Sequence, residues 1–196
     1  MCIRDRLDID PDERIVLCVA NLIPKKGIDF LIRGFRACKS FGESRLVIVG
    51  NNQTMLSAET EALMQQLSTG HRVVFTGKRA DIPRFLSIAD LFILASTGDE
   101  GAPIAIQEAM AIGVPVITTD TPGNRDQLDT LPDQLIPPSD SGAIAIAIDK
   151  MLSLDQDKRH NIIAQQWDII DKRYYLKEEV RQHEALYKSL VNLEEL

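Results

Sequence analysis

The chain has 196 residues, of which 44% are hydrophobic and 26% charged, a composition typical of a globular domain with a sizeable buried core. With 22 Lys and Arg against 29 Asp and Glu, the formal net charge is -7, so nucleic acid and anionic lipid surfaces would on average be repelled. No apolar run approaches the roughly 20 residues of a membrane-spanning helix, and no secretory signal opens the chain. We therefore expect a cytoplasmic protein without a nucleic-acid partner.

The first six residues, from Met1 to Arg6, resemble the translation of a transposase adapter used in sequencing libraries. We therefore expect residues 1–13 to be an artefactual or linker segment, with the natural protein continuing upstream. A genuine start is the alternative.

From Arg14 onward, short continuous apolar runs alternate with amphipathic segments. The apolar runs are too short for helices and lack alternation, so they predict parallel strands that are buried on both faces. These strands are expected at residues 15–20, 46–49, 73–75, 91–94 and 114–117. Segments with helical spacing lie between them, at residues 27–39, 57–67, 82–89 and 103–112. Repeated strand–helix units predict an α/β fold with a doubly wound, Rossmann-like parallel sheet.

Pro122 and Gly123, and later Pro137 and Pro138, are expected to mark the end of this core, and helices are expected beyond them. Ser139 or Asp140 can cap the first of these helices. Because Ala and Ile alternate in this segment, a strand remains the alternative there. The residues that would share its buried face are Ile144, Ile148, Met151 and Leu152. Two more helices are expected near residues 157–172 and 176–192.

The three cysteines and three histidines are scattered, which argues against a disulfide framework or a zinc cluster. Cys18 lies in an apolar run and is expected to be a core residue rather than a nucleophile.

In an open parallel sheet, ligands bind beyond the carboxyl ends of the strands, where helix N-termini offer unpaired N–H groups. The loops at this edge carry Lys25 and Lys26 at one helix start, and Lys78 and Arg79 after Gly77. Cationic groups beside a helix N-terminus favour an anionic ligand such as a diphosphate. The alternative is that Lys25 and Lys26 are ordinary solvated loop residues.

Two carboxylates, Glu100 and Glu108, lie eight residues apart. Glu108 falls in an almost entirely apolar helical segment, where an unpaired inward carboxylate would cost several kcal/mol or become protonated. Either Gln107 and Glu108 form a narrow wet face, or Glu108 binds hydroxyl groups of a ligand. If Pro103 starts the helix, the spacing disfavours the roughly 5 Å carboxylate pair of a retaining hydrolase. Two hydroxyl-binding carboxylates are more natural than an acid/base pair.

Together these residues resemble the nucleotide-sugar-binding, C-terminal half of retaining GT-B glycosyltransferases of family 4, the glycosyl transferases group 1. The most specific match is STGDEGAPIAIQEAMAIGVPVITT at residues 96–119, which resembles the E-x7-E block of that family. Supporting matches are NLIPKKG at 21–27, GKRADIP at 77–83 and ADLFILAS at 89–96, in the order and spacing of the family. The resemblance implies a donor-binding domain at residues 14–155, followed by C-terminal helices at 156–196 that pack on it and toward a missing N-terminal domain.

The resemblance also implies roles for individual residues. Lys26 would bind the donor diphosphate and stabilise charge on the departing nucleotide, and Glu100 would hold the transferred sugar, so both count as catalytic. Glu108 would accept hydrogen bonds from the ribose. The remaining expected donor-binding residues are Asn21, Lys25, Gly77, Lys78, Arg79, Gly101, Ala102, Pro103 and Ile104.

Two positions depart from the family pattern. Asn21 stands where the family usually has Arg, so one cationic diphosphate contact is either missing or supplied by Lys25. Ala102 replaces a familiar aromatic residue, which is expected to widen the sugar pocket.

The reaction implied is transfer of a hexosyl-type sugar from a nucleotide sugar to an acceptor hydroxyl with retention, in polysaccharide or glycolipid synthesis. No metal or other cofactor is implied; the Asp-x-Asp sequences at residues 8–10 and 155–157 imitate a metal motif, but neither ends a core strand. A carbohydrate or lipid-linked acceptor, and any peripheral membrane contact, would belong to the missing domain. We therefore expect this chain alone to bind the donor weakly and to be inactive.

Three alternatives stay open. The first is another GT-B enzyme, such as a sugar epimerase or a phosphorylase. The second, a dinucleotide-dependent oxidoreductase, is disfavoured because NLIPKKG rather than G-x-G-x-x-G follows the first strand. The third is a non-catalytic nucleotide-sugar-binding or scaffold domain, which Asn21 supports.

Overall fold

The computed structural model describes residues 2–51, 62, 65–66, 72–98, 100–175 and 180–181. Its strands are β1 (Arg14–Val19), β2 (Ser44–Val49), β3 (Val73–Phe75), β4 (Leu91–Leu94), β5 (Val116–Thr119) and β6 (Leu135–Ile136). In this part of the chain they form one parallel six-stranded sheet in the order β3-β2-β1-β4-β5-β6. This is the doubly wound order of Rossmann folds, so the predicted α/β class is confirmed.

The helices in the described residues connect these strands and follow them. They are α1 (Ile3–Arg6), α2 (Ile28–Ala37), α3 (Ile82–Leu86), α4 (Ile104–Ile112), α5 (Pro122–Gln127), α6 (Ser141–Leu152) and α7 (Gln156–Ile169). Short 3-10 helices occupy Pro24–Lys26, Lys39–Glu43 and Pro132–Gln134, and a π-helical turn at Ile170–Tyr174 continues α7. None of the helices within these described ranges is long and apolar enough to cross a membrane.

The core lies on both faces of the central strands. Leu17 of β1 pairs with Val47 of β2 and with Phe92 of β4, and all three side chains are fully buried. Helices cover both faces of a parallel sheet, which explains why these strands are continuous apolar runs. Cys18 belongs to this core, where burial raises the pKa of its thiol to about 12 despite nearby Lys26. Its predicted role as a core residue is confirmed.

The predicted strands match the structure within two residues. The largest shift is in β5, which starts at Val116 rather than Val114. Gly113 ends α4 in a left-handed conformation (φ 84°), and the Val114 amide donates to the Ala109 carbonyl at 2.9 Å. Val114 therefore belongs to the C-terminal cap of α4 and cannot start the strand.

The expectation that Pro122 and Gly123 mark the end of the core is wrong, whereas Pro137 and Pro138 directly follow β6, the last strand of the described sheet. Pro122 occupies the first position of α5, where its missing N–H costs nothing, and β6 then adds a further strand beside β5. The first of the predicted C-terminal helices, by contrast, is present in the structure as α6. Asp140 caps α6 by accepting from the Ala143 amide at 2.9 Å, so the helix is confirmed over the strand. Ile144, Ile148 and Met151 are buried as predicted, and Leu152 is half-buried.

The helix predicted at residues 157–172 corresponds to α7 and its π-helical continuation. The helices predicted at 57–67 and 176–192 lie largely outside the described residues.

The segment before β1 packs against the sheet. Ile3 and Ile9 are buried, and Arg45 of β2 donates to the Asp8 carbonyl at 2.8 Å. Arg45 also pairs with Glu13 at 2.6 Å. The assignment of residues 1–13 as an artefactual or linker segment stays a prediction.

Candidate functional site

The strand order reverses between β1 and β4, which are hydrogen-bonded neighbours. At such a switch point the connections leave to opposite sides and open a crevice at the carboxyl ends of the strands. The loop after β1 contains the 3-10 helix Pro24–Lys26, and the loop after β4 leads from Ala95 to α4. These are the loops that hold the predicted catalytic residues Lys26 and Glu100.

The two loops are joined backbone to backbone. The Thr97 amide donates to the Lys25 carbonyl at 2.8 Å. Gly27 has φ +60°, and a Cβ atom there would lie 2.0 Å from the Ala95 carbonyl oxygen. Glycine therefore permits both the left-handed conformation and the close approach, which hold Lys26 beside the β4 loop.

Lys26 and Glu100 form an ion pair across this crevice. Lys26 Nζ lies 2.7 Å from Glu100 Oε1, and the two side chains are 16% and 7% exposed. Ser96 Oγ donates to the same oxygen at 2.8 Å. Two charge-assisted hydrogen bonds thus compensate the carboxylate for its loss of water. The solvated-loop alternative is wrong for Lys26.

Lys25 is placed differently from Lys26. Its side chain is half-exposed, and its Nζ lies 3.9 Å from Glu100 Oε2, beyond hydrogen-bond distance. It is a cation at the rim of the crevice, and its predicted contact with a diphosphate stays a prediction.

The start of α4 follows directly from this loop. Gly101 and Ala102 are exposed, Pro103 is the residue before the helix, and Ile104 is 68% exposed. The first amides of an α-helix have no intrahelical acceptor and carry a partial positive charge. Exposed backbone therefore lies beside Glu100, as the predicted sugar contacts require.

Glu108 lies on the exposed side of α4. Ile106, Ala109 and Met110 form the buried face, whereas Glu108 follows exposed Ile104 by four residues, about 6 Å along the axis. Among the described residues it makes no hydrogen bond or ion pair. Its carboxylate is on the solvent-exposed face of the helix, and its contact with a ligand stays a prediction.

The loop after β3 joins the same edge of the sheet. Gly77 has φ +68°, and its carbonyl accepts from the Gly50 amide at 3.1 Å. Lys78 is exposed, whereas Arg79 pairs with Asp81 at 3.1 Å. Hydrogen bonds from Arg6 and Arg79 lower the pKa of Asp81 to about 2. The Arg79 guanidinium has five N–H donors, so its pairing with Asp81 leaves others available, and the donor contacts predicted for Gly77, Lys78 and Arg79 stay a prediction.

Asn21 connects two loops of this edge. Its Oδ1 accepts from the Asn51 amide at 3.3 Å, which links the loop after β1 to the loop after β2. Its place in the fold fits the expected donor edge, but this contact is a neutral one within the protein.

A buried polar layer behind Glu100 was missed by the sequence analysis. Thr119 Oγ1 donates to the Ser96 carbonyl at 2.6 Å, and Asn124 Nδ2 donates to the Thr119 carbonyl at 3.0 Å. Gly123 packs so tightly that a Cβ atom would lie 1.6 Å from the Gly101 carbonyl oxygen. The available signal was the polar Thr118-Thr119 pair at the end of an apolar strand.

The Asp-x-Asp sequences have local structural roles. Asp155 caps α7 by accepting from the Lys158 amide at 2.8 Å, and Asp10 accepts from the Asp12 amide at 2.9 Å. In the described ranges, no group of three or more His, Cys, Asp and Glu residues is placed to hold a metal ion.

The chain is similar in sequence to two curated glycosyltransferases. The chain is 31% identical over 137 residues to the amylovoran biosynthesis glycosyltransferase of Erwinia amylovora, covering 66% of this chain and 34% of that protein. It is 32% identical over 146 residues to the putative teichuronic acid biosynthesis glycosyltransferase of Bacillus subtilis, covering 74% of this chain and 35% of that protein.

Among solved structures, HepE from Anabaena in complex with UDP-glucose superposes with a TM-score of 0.81 at 26% identity, covering 95% of this chain and 51% of HepE. The chain thus spans about a third of these curated relatives and about half of this structure. The family model of glycosyl transferases group 1 matches residues 2–166. Since this match covers most of the chain, including every residue of the crevice, the protein belongs to the glycosyl transferases group 1.

Proposed function

We propose that the chain contains the nucleotide-sugar-binding domain of a retaining, family 4 glycosyltransferase. The whole protein would transfer a hexosyl group from a nucleotide sugar to an acceptor hydroxyl, in polysaccharide or glycolipid synthesis. The observation that carries this proposal is the Lys26–Glu100 pair, 2.7 Å apart at the switch point of the sheet. Two relatives are named for polysaccharide biosynthesis, and HepE was solved with UDP-glucose, which supports a nucleotide-sugar donor.

Lys26 is suited to bind a diphosphate without leaving Glu100. A lysine ammonium has three N–H donors, and one of those on Lys26 points to Glu100 Oε1. The other two can reach phosphate oxygens, with Lys25 and the N-terminus of α4 adding positive potential. These groups would stabilise the charge that develops on the leaving nucleotide diphosphate, and in this proposal they take the place of a metal ion.

Glu100 is suited to hold the sugar rather than to attack it. Its carboxylate is bound by both Lys26 and Ser96, which reduces its nucleophilicity and fixes its position. We therefore favour a front-face transfer in which the leaving phosphate helps to take the proton of the acceptor hydroxyl. The remaining proposed donor contacts are Asn21, Lys25, Gly77, Lys78, Arg79, Gly101, Ala102, Pro103, Ile104 and Glu108.

The test is a thermal-shift panel of UDP, GDP and ADP together with their glucose or mannose derivatives. We expect one base series to stabilise the chain, with the nucleotide sugar stabilising more than the diphosphate. Lys26→Ala should weaken binding of that series by about ten-fold or more. Lys39→Ala is the matched control, because Lys39 is an exposed lysine at the opposite edge of the sheet. Stabilisation by none of these ligands would contradict the proposal.

The isolated chain is expected not to transfer sugar, because the acceptor-binding domain is proposed to lie outside it. Incubation with donor and candidate acceptors, followed by mass spectrometry, tests this expectation. Transfer by the chain alone would show that it already contains an acceptor site.

A non-catalytic nucleotide-sugar-binding domain is the second candidate. It is favoured by Asn21, which contacts Asn51 where the family usually offers an arginine to the diphosphate. Asn21→Arg should then raise diphosphate affinity, and the full-length protein should bind donor without turnover. Another GT-B enzyme, such as a sugar epimerase, would instead release an epimerised sugar.

A further inference from the structure

The two carboxylate oxygens of Glu100 have different surroundings. Oε1 accepts from Lys26 Nζ at 2.7 Å and from Ser96 Oγ at 2.8 Å. In the described part of the chain, Oε2 has no hydrogen bond, and Lys25 Nζ lies 3.9 Å from it. One oxygen is therefore committed to the protein, and the other retains its full capacity to accept hydrogen bonds.

Ser96 is held by a buried chain of hydrogen bonds. Its carbonyl accepts from Thr119 Oγ1 at 2.6 Å, and the Thr119 carbonyl accepts from Asn124 Nδ2 at 3.0 Å. Ser96, Thr119 and Asn124 are completely buried. These hydrogen bonds fix the Ser96 backbone, and complete burial in a close-packed interior leaves the Ser96 hydroxyl few alternative positions.

The loop that carries Glu100 is also supported on its backbone. A Cβ atom at Gly123 would lie 2.2 Å from the Glu100 carbonyl oxygen, so the start of α5 is in direct contact with this loop. On the other side, the Thr97 amide donates to the Lys25 carbonyl. The position of the Glu100 backbone is therefore set by both neighbouring loops, which leaves the rotation of its carboxylate for Ser96 to control.

We propose that Ser96 is a positioning residue that directs Glu100 Oε2 toward a hydroxyl group of the donor sugar. This inference rests on the proposed function. Without the Ser96 hydroxyl, the carboxylate can rotate and present both oxygens to Lys26. That rotation would occupy a second donor of Lys26 and withdraw Oε2 from the sugar. Recognition of the sugar would be lost, while the exposed diphosphate-binding groups would remain.

The test compares the affinity of the 196-residue chain for UDP-glucose with its affinity for UDP, or for the corresponding pair of whichever base binds. Isothermal titration calorimetry gives both dissociation constants. The readout is the Kd for UDP divided by the Kd for UDP-glucose, a ratio that falls when recognition of the sugar is lost. We expect Ser96→Ala to weaken nucleotide-sugar binding by about ten-fold, the effect typical of a lost hydrogen bond to a charged group, and diphosphate binding by less than about two-fold. A loss of stability alone would weaken both ligands equally.

Two threonines of β5 supply a matched pair of variants. Thr119→Val removes the hydrogen bond to the Ser96 carbonyl, and the ratio should fall by about three-fold. Thr118→Val removes an equivalent buried hydrogen bond to the Leu94 carbonyl, 2.9 Å long, which does not reach the Glu100 loop. Its ratio should equal that of the wild type.

If the ratio measured for Ser96→Ala equals that of the wild-type chain, the inference is overturned. If Ser96→Ala does not fold, Thr119→Val decides: a ratio equal to that of Thr118→Val overturns the inference, and a lower one supports it. Equal wild-type affinities for UDP-glucose and UDP would also overturn it, but would leave the proposed function standing. Failure of the wild-type chain to bind any nucleotide would instead reject both.

Discussion

Strands β1 and β4 are bridged by a carboxylate at each end, and the two carboxylates are used differently. At the amino ends, Asp90 accepts from Arg14 Nη1 at 2.9 Å through Oδ1 and from the Ile15 amide at 2.8 Å through Oδ2. At the carboxyl ends, Glu100 accepts from Lys26 and Ser96 through Oε1 and keeps Oε2 available. Each carboxylate accepts two hydrogen bonds, but both oxygens of Asp90 are bonded to the protein, whereas only one oxygen of Glu100 is bonded among the described residues.

This difference teaches where the fold keeps its stabilising contacts and where it can bind a ligand. A cavity of about 560 Å³ lies at the amino edge, and several of its polar groups bond within the protein. Ser40, for example, donates to Asp149 at 2.7 Å. At the carboxyl edge, one oxygen of Glu100 has no hydrogen bond among the described residues. This available oxygen beside the start of α4, rather than cavity size, is the feature on which the proposed site rests.

The largest effect is expected for Gly123→Ala, which disrupts the close packing of α5 against the Glu100 loop. The new methyl group would lie 1.6 Å from the Gly101 carbonyl oxygen, so the backbone must move. Overpacking of this kind should lower the free energy of unfolding by about 3 kcal/mol and abolish nucleotide-sugar binding. Urea unfolding and calorimetry measure both. Gly42→Ala is the control, since a Cβ atom at Gly42 has nothing within 4 Å; equal behaviour of the two variants would contradict the prediction.

Asp90→Asn tests the carboxylate whose two oxygens are both bonded to the protein. The amide group cannot accept on both sides, so the Arg14 or the Ile15 contact is lost at a mostly buried position. We expect a loss of about 2 kcal/mol in the free energy of unfolding, with nucleotide affinity unchanged for the folded fraction. A selective loss of ligand binding without loss of stability would show that the amino edge is part of the site.

The sequence identified the elements whose pattern depends on burial alone. The central strands are uninterrupted apolar runs because both of their faces are covered, and their ends located Lys26 and Glu100 at one edge. It missed β6, since a two-residue edge strand has no periodicity. Pro122 was interpreted as the end of the core because proline interrupts the interior of a helix, but proline is also favoured at the first position of a helix.

The layer behind the site could not be predicted for a different reason. The bond between Thr119 and Ser96 depends on the pairing of β4 with β5. Neither residue shows in its local sequence that the two are partners. In the same way, the exposure of Glu108 depended on which side of α4 meets the sheet, and the nearly uniform apolarity of that helix left both sides possible.

Glu100→Gln tests the carboxylate with one available oxygen and is expected to lower ligand affinity, which Asp90→Asn leaves unchanged. Glutamine keeps the shape of the side chain but removes the charge that faces Lys26. Affinity for the nucleotide sugar should fall by about ten-fold. Because the mostly buried Lys26 ammonium loses its counter-charge, the free energy of unfolding should also fall by about 2 kcal/mol. Calorimetry with UDP and UDP-glucose measures the affinities, and urea unfolding measures the stability. If Glu100→Gln leaves the affinity for the nucleotide sugar unchanged, the contrast between the two carboxylates is wrong.

The smallest effect concerns Asp149 at the amino edge. Although partial burial opposes ionisation, hydrogen bonds from Ser40 and Lys39 hold the pKa of Asp149 below its ordinary value of 3.8. A carboxylate with a lowered pKa stabilises the fold above its unfolded-state pKa, and this contribution is lost as the pH falls through the folded-state pKa. Asp149→Asn should therefore cost about 1 kcal/mol or less at neutral pH, because solvent screens the partly exposed group. Urea unfolding at pH 7, 5 and 3 should show the difference from wild type persisting at pH 5 and shrinking toward pH 3. A difference independent of pH would mean that Asp149 contributes through packing rather than through its charge.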